Sequence, residues 1–229
     1  WLQWSEIASN VFYRPNLFRA FGGKYGFPIV SLKSAAEDFR FFAENKCVGM
    51  DIDTMQNHWA TQGPIYYLMA QLMYDPWQDA EAVMDDYYRR GYGPAAEEIK
   101  QYFQIMEKAY NESVERVWAL AGESRNQGTI QLAILLETWG APPLLDDAES
   151  LLARARAKVA GGPEKYRERI NFVRSGFEYM KVRLRLMQAT GKVEKNLGAD
   201  TKQVEEALAF WDKLDEIAKN APAYAVRRP

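Results

Sequence analysis

The chain has 229 residues, of which 48% are hydrophobic and 26% charged, and its formal net charge is −2. This composition is typical of a globular protein with one large domain or two small ones. A near-neutral charge gives no reason to expect a nucleic-acid partner, which favours a basic stripe. The single cysteine, Cys47, excludes an internal disulfide framework and a cysteine-based zinc site. No run approaches about 20 apolar residues, so we expect no membrane span.

The first part of the chain alternates strand and helix patterns. Residues 10–14 predict a short strand, and residues 47–53 predict a second one. Between them, a capping box at Ser34 and Glu37 predicts a helix over residues 34–45. Strand, helix and strand in this order predict a parallel βαβ unit. Because two strands alone do not form a stable open sheet, we expect further strands outside this chain.

The rest of the chain predicts helices separated by glycine and proline. Pro64 fits the first position of an amphipathic helix that ends near Tyr74, and Asp79 caps the next one. Apolar stripes predict further helices over residues 79–90, 94–120, 129–139, 144–159, 166–187 and 201–219, with a polar loop over 122–128. The last of these stripes are typical of antiparallel bundle helices. The predicted fold class is therefore mainly α with a small βαβ unit.

Polar and aromatic side chains crowd the two predicted strand ends. In parallel α/β folds, ligands bind beyond the carboxyl ends of the strands. Asp51 and Asp53 share a face of an ideal strand, so one carboxylate can accept from a sugar hydroxyl while the other orients His58 or Arg14. The candidate site residues are Tyr13, Arg14, Asn16, Asp51, Asp53, His58, Trp59 and Gln62.

Three interpretations of these residues compete. In the first, carboxylates and amides hold the hydroxyls of a carbohydrate, Trp59 stacks on its ring, and Arg14 holds an anionic or carbonyl group. In the second, Asp51, Asp53 and His58 bind a metal ion, although their spacing matches no metal motif. In the third, the same residues cap turns and pack the core. Spacing alone favours the third interpretation.

Other polar groups predict structural roles. The acidic pairs at residues 85–86 and 97–98 are expected on solvated helix faces, and the tyrosines at 87, 88 and 92 are expected to pack. The sequence contains no glycine-rich phosphate loop, no Gly-x-Ser-x-Gly elbow and no His-Glu-x-x-His motif.

Six short motifs, taken together and in order, resemble a family of large bacterial proteins catalogued as a domain of unknown function. They are Asp51-Ile-Asp53, His58-Trp-Ala-Thr-Gln-Gly63, Tyr66-Tyr67, Tyr74-Asp-Pro76, Asp85-Asp-Tyr87 and Gly91-Tyr-Gly-Pro-Ala-Ala96. That family is related to α-glucuronidases and substrate-assisted hexosaminidases, and some relatives are endo-β-N-acetylglucosaminidases. The resemblance covers residues 4–110 well and continues more weakly to about residue 190.

The resemblance implies a (β/α)₈ (TIM) barrel followed by helices. Residues 10–14 and 48–52 would be its last two strands, so residues 1–75 would end the barrel and residues 76–229 would form a helical extension. In these hexosaminidases the paired catalytic carboxylates lie on an earlier strand, which this chain does not contain. The catalytic residues therefore stay unassigned, and the candidate residues would be contacts at the substrate-facing rim.

We therefore expect the C-terminal portion of a secreted or periplasmic glycoside hydrolase, inactive alone and without a cofactor. Its expected partners are a carbohydrate substrate and an N-terminal part of the same polypeptide. The alternative is a non-catalytic helical module that binds a partner or a glycan. The regular helix over residues 166–187 motivates this alternative.

Overall fold

The computed structural model describes residues 1–15, 26–53, 55, 57–121, 127–195, 201–221 and 226. The helices are α1 (Leu2–Ile7), α2 (Leu32–Glu44), α3 (Trp59–Tyr74), α4 (Ala80–Tyr92), α5 (Ala96–Ala121), α6 (Gln127–Trp139), α7 (Pro142–Val159), α8 (Glu164–Lys195) and α9 (Thr201–Asn220), and the strands are β1 (Val11–Tyr13) and β2 (Cys47–Met50). The prediction of a mainly helical chain with a small βαβ unit is confirmed. Among the described helices, none has the length and apolar character needed to cross a membrane.

The two strands form a parallel pair, the only sheet in the described part of the chain. Phe12 lies opposite Gly49 and Tyr13 opposite Met50, with an irregularity in register just before Phe12. Backbone pairing continues beyond the strands, because the N–H of Asp51 donates to the carbonyl oxygen of Tyr13 at 3.0 Å. The two chain segments therefore leave the sheet side by side.

Helix α2 begins at Leu32, so the prediction of a capping box at Ser34 and Glu37 is wrong. A residue distant in sequence caps this helix instead: the N–H of Leu32 donates to Oε1 of Glu107, on α5, at 2.7 Å. A carboxylate at a helix N-terminus satisfies orphan N–H groups and complements the helix dipole. Burial raises the pKa of Glu107, while hydrogen bonds from the backbone N–H groups of Leu32 and Lys33 oppose that rise.

Helix α3 begins at Trp59, so the prediction that Pro64 occupies its first position is also wrong. The N–H groups of Thr61 and Gln62 donate to the carbonyl oxygen of His58 at 3.1 and 2.9 Å. Proline removes one hydrogen bond from a helix interior, and the packing of the neighbouring residues compensates for this loss.

That packing makes α3 the central helix of the fold. It is buried on nearly all sides rather than along one stripe, which corrects the prediction of an amphipathic helix. Its first turn meets α8 at Gly176, where an added Cβ would lie 2.7 Å from Cβ of Ala60 and 2.8 Å from Cγ2 of Thr61. Only glycine permits this approach without a shift of the two helices.

A large hydrophobic core joins the first and second halves of the chain. It contains Phe27, Phe39, Leu68, Phe103 and Phe177, all less than 5% exposed. A smaller cluster packs α8 against α9 around Leu214. The domain boundary expected near residue 75 stays a prediction.

The remaining helices follow their predicted stripes with shifted ends. Asp79 caps α4 as predicted, since its side chain accepts from the N–H groups of Glu81 and Ala82. Helix α6 begins at Gln127, inside the predicted 122–128 loop, and residues 122–126 lie outside the described residues. Before the first strand the chain forms α1, for which the sequence predicted no element. Glu98, expected on a solvated face, is buried and pairs with Nζ of Lys158 at 2.7 Å.

Candidate functional site

One guanidinium bridges two carboxylates at the strand ends. Nε of Arg14, just after β1, lies 3.0 Å from Oδ2 of Asp51, just after β2. Nη2 of Arg14 lies 3.1 Å from Oδ2 of Asp53. The sequence predicted that one carboxylate orients His58 or Arg14; the parallel pairing brings both strand ends to one edge, and Arg14 contacts both carboxylates. We call Arg14, Asp51 and Asp53 the strand-end cluster.

The strand-end cluster is open to solvent. The side chains of Arg14 and Asp51 are each 58% exposed, and that of Asp53 is 36% exposed. The side-chain hydrogen bond to Asp51, followed by the charges of Asp53 and Asp51, raises the pKa of Arg14. Arginine thus stays a cation and serves as a fixed donor, not as a general acid. The cluster can bind and orient hydroxyl groups through a planar donor flanked by two acceptors.

Tyr13 lies on the other side of the sheet from this opening. Its ring packs 4.1 Å from that of Phe42 and 5.8 Å from that of Trp1, measured between centroids. Successive side chains of a strand point to opposite faces, so Tyr13 turns toward α2. Burial, and then the charge of Asp38, raises the pKa of the Tyr13 hydroxyl. The structure therefore does not bring Tyr13 into the strand-end cluster.

His58 and Gln62 are buried at the start of α3. The His58 side chain packs against Tyr179 of α8, with ring centroids 5.6 Å apart, and the residue is 1% exposed. Gln62 is fully buried; its Nε2 donates to the carbonyl oxygen of Phe27 at 3.1 Å, and its Oε1 accepts from the hydroxyl of Tyr66. These contacts fix the first turn of α3. Their predicted role as direct substrate contacts stays a prediction.

Trp59 is the part of this turn that reaches solvent. It is 40% exposed and meets the ring of Tyr66 edge-on, with centroids 4.8 Å apart. An indole held in this way by a buried ring offers a rigid flat face. Asn16, the remaining candidate, lies outside the described residues.

The metal interpretation gains no support from the geometry. Across the ranges that the structure describes, no three His, Cys, Asp or Glu residues group in a way that could hold a metal ion. His58 is buried against α8, and Arg14 occupies the space between the two carboxylates.

Sequence reasoning missed a second polar and aromatic region. A cleft of about 690 Å³ lies between α2 and α5, and its lining includes Tyr13, Asp38 and Trp118. Trp118 is 67% exposed although it follows the buried Val117 in the stripe of α5. A large aromatic side chain on the outer side of a helix stripe was the available signal.

Comparison with models of known protein families finds a match to a family of unknown function. No curated protein and no solved structure matches the chain. The matched segment contains both strands and the strand-end cluster, together with α3 and α4. Over residues 1–104, the chain is similar to the family described as a domain of unknown function (DUF4838).

Proposed function

We propose that β1 and β2 are the last two strands of a (β/α)₈ barrel, and that the later helices form an antiparallel helical extension. Parallel sheets are normally covered on both faces, and a two-stranded sheet is marginal by itself. Here Phe12 is 57% exposed and Val48 is 64% exposed. Further strands from an N-terminal part of the same polypeptide would cover these side chains.

We infer that the chain belongs to a bacterial glycoside hydrolase and contributes part of its substrate-binding rim. The observation that carries this proposal is the strand-end cluster, where Arg14 bridges Asp51 and Asp53 at the carboxyl ends of two parallel strands. This edge is where (β/α)₈ enzymes bind their substrates. The resemblance to α-glucuronidases and substrate-assisted hexosaminidases supplies the substrate class.

Six of the eight candidate residues have a role in this proposal. The two carboxylates accept hydrogen bonds from sugar hydroxyls, and the Arg14 guanidinium donates to a hydroxyl, carbonyl or carboxylate of the substrate. Trp59 offers its face to a sugar ring, and the buried His58 and Gln62 hold the turn that positions it. The proton donor for the leaving oxygen comes from an earlier strand outside this chain.

The proposal extends to the setting of the enzyme. We propose a secreted or periplasmic protein that acts on carbohydrate without a cofactor. The candidate residues of this chain bind and orient the substrate but do not supply the proton donor. This chain alone therefore has no hydrolytic activity.

The direct test compares this chain with the polypeptide that includes its upstream residues. Both are assayed on aryl N-acetylglucosaminides and aryl glucuronides. The longer polypeptide is expected to hydrolyse at least one of them, and this chain alone none. An upstream sequence without further strand-helix units would contradict the barrel, and an inactive longer polypeptide would contradict the activity.

A glycan-binding measurement addresses the alternative of a non-catalytic glycan-binding module. Such a module would keep its glycan affinity when Asp51 and Asp53 are both replaced by alanine. Loss of glycan binding in that double variant, with folding retained, would favour the rim of an active site.

A further inference from the structure

The cleft between α2 and α5 has walls of a defined chemistry. Ala35, Asp38 and Phe42 of α2 face Val114 and Trp118 of α5 across it. Ile65 and Met69 of α3 and Tyr13 of β1 also line it. The volume of about 690 Å³ lies within the range of small-molecule sites.

Among the residues that the structure describes, the negative charge in this cleft has no cation beside it in the lining. Among the described lining residues, the charged ones are Asp38 and Glu115, and neither lysine nor arginine is present. Asp38 forms no hydrogen bond or ion pair with the residues that the structure describes. Burial, and then the negative charge of Glu37, raises the pKa of Asp38. Asp38 and Glu115 are both exposed residues of the cleft, and a carboxylate in this position is stabilised by any cation that enters.

Aromatic side chains line the same cleft as Asp38. Phe39 and Phe42 are buried in the wall, Tyr13 and Tyr110 border it, and the exposed indole of Trp118 stands at the rim. Cations bind to the faces of such rings, and tryptophan is the strongest of them. Sites for organic ammonium ions combine carboxylates with aromatic faces and have no lysine or arginine side chain beside them.

We propose that this cleft binds a small organic cation, namely an ammonium group on an aromatic or alkyl body. The ammonium pairs with Asp38, with Glu115 near the mouth, and the apolar body lies between Phe42 and Trp118. The site is separate from the strand-end cluster, since Tyr13 points to the opposite face of the sheet from the open side. The proposal therefore does not depend on glycoside hydrolysis.

The test uses phenethylammonium and its neutral analogue 2-phenylethanol, which share one apolar body. Each is titrated into the ¹⁵N-labelled 229-residue chain, and the indole N–H signal of Trp118 is followed by NMR. The Trp118→Phe variant identifies that signal by its loss. We expect the ammonium to shift it and the alcohol to bind weaker by about three- to tenfold.

Charge variants then locate the contact. Asp38→Asn is expected to weaken the binding of phenethylammonium about three- to tenfold and to leave the binding of 2-phenylethanol unchanged. Glu115→Gln is expected to lower the affinity for phenethylammonium by a smaller factor. Glu112→Gln on the same helix should leave that affinity unchanged, because Glu112 does not line the cleft. The ¹⁵N spectrum of each variant reports whether it folds.

Three results would overturn the proposal. The first is equal affinity for the ammonium and the alcohol. The second is an ammonium affinity that neither Asp38→Asn nor Glu115→Gln lowers in a folded variant. The third is a response of the Trp118 signal to N-acetylglucosamine that is as strong as its response to the ammonium.

Discussion

The helical body around α3 and α8 and the sheet end at β1 and β2 differ in how fully their side chains are partnered. In the body, Ala60 and Thr61 are fully buried and touch the backbone of α8 at Gly176. At the sheet end, Phe12 and Val48 are mostly exposed, as are Leu2, Trp4 and Ile7 of α1. The body therefore contributes most of the buried packing, and the sheet end leaves apolar and charged side chains exposed to solvent. Substitutions in the two regions should separate these contributions.

The largest loss of stability is expected at Gly93, between α4 and α5. This glycine has a φ of +53°, and an added Cβ would lie 2.6 Å from the ring of Tyr166. Gly93→Ala combines backbone strain with overpacking and should lower the free energy of unfolding by about 2–4 kcal/mol. Urea denaturation measures this loss.

Gly91 provides the matched control for that substitution. It lies inside α4, and nothing lies within 4 Å of the position where its Cβ would be. Gly91→Ala should raise the free energy of unfolding by about 0.5–1 kcal/mol, because alanine favours the helix. Equal effects at the two glycines would contradict the described geometry between α4 and α5.

The next largest effect is expected where α3 crosses α8. Gly176→Ala should destabilise the protein by about 1–3 kcal/mol, because the new methyl group pushes Ala60 and Thr61 away. Ser175→Ala, at the neighbouring and only partly buried position of α8, should stay within about 0.5 kcal/mol of the wild type. If both variants unfold at the same urea concentration, the close contact of α3 and α8 is wrong.

A smaller, pH-dependent effect is expected between α7 and α8. Glu149 accepts from Arg174 at 2.6 Å and from Lys181 at 3.0 Å. Burial opposes ionisation of Glu149, but hydrogen bonds and charges from Lys181 and Arg174 outweigh it and lower the pKa. After allowance for solvent screening, Glu149→Gln should cost about 0.5–1 kcal/mol at pH 7.

The sign of this pH dependence follows from the lowered pKa. Ionised Glu149 stabilises the fold at pH values above its unfolded pKa of about 4.5, and this contribution is lost as the pH falls through the folded value. The difference between wild type and Glu149→Gln should therefore shrink in acid. A difference that stays constant from pH 7 to about pH 3 would exclude the ion pair as its cause.

The smallest effect on stability is expected at the strand-end cluster. Arg14 and its partners are largely exposed, and exposed ion pairs contribute little to folding. Arg14→Ala should leave the urea midpoint unchanged within error while it weakens glycan contact. A marked loss of stability in this variant would make the cluster a structural element of the sheet end.

The sequence predicted what depends on neighbouring residues and missed what depends on distant ones. The parallel strand pair, the Asp79 cap and the meeting of Arg14 with Asp51 follow from local pattern and the geometry of parallel strands. The starts of α2 and α3 were wrong because distant residues decide them. Glu107 on α5 caps α2, and Gly176 on α8 leaves room for the first turn of α3.

The candidate site divided in the same way. The exposed charges at the strand ends came together as predicted, since register places them. His58, Gln62 and Tyr13 were assigned to the same opening by sequence proximity, yet their side chains pack toward α8, Phe27 and α2. The cleft at Asp38 and Trp118 joins helices that are far apart in sequence, so the position of Trp118 beside the stripe of α5 was a local signal but the pairing with α2 had none.

The most direct test of the account is glycoside hydrolysis by the longer polypeptide carrying Asp51→Asn and Asp53→Asn together. Asp85→Asn is the control, because Asp85 is also exposed and pairs with Lys100, but on the helical body. The account predicts that the double variant loses about tenfold or more in kcat/KM, mainly through KM, with unchanged stability. Activity of the double variant equal to that of the Asp85→Asn control would contradict a substrate-binding role for the strand-end cluster.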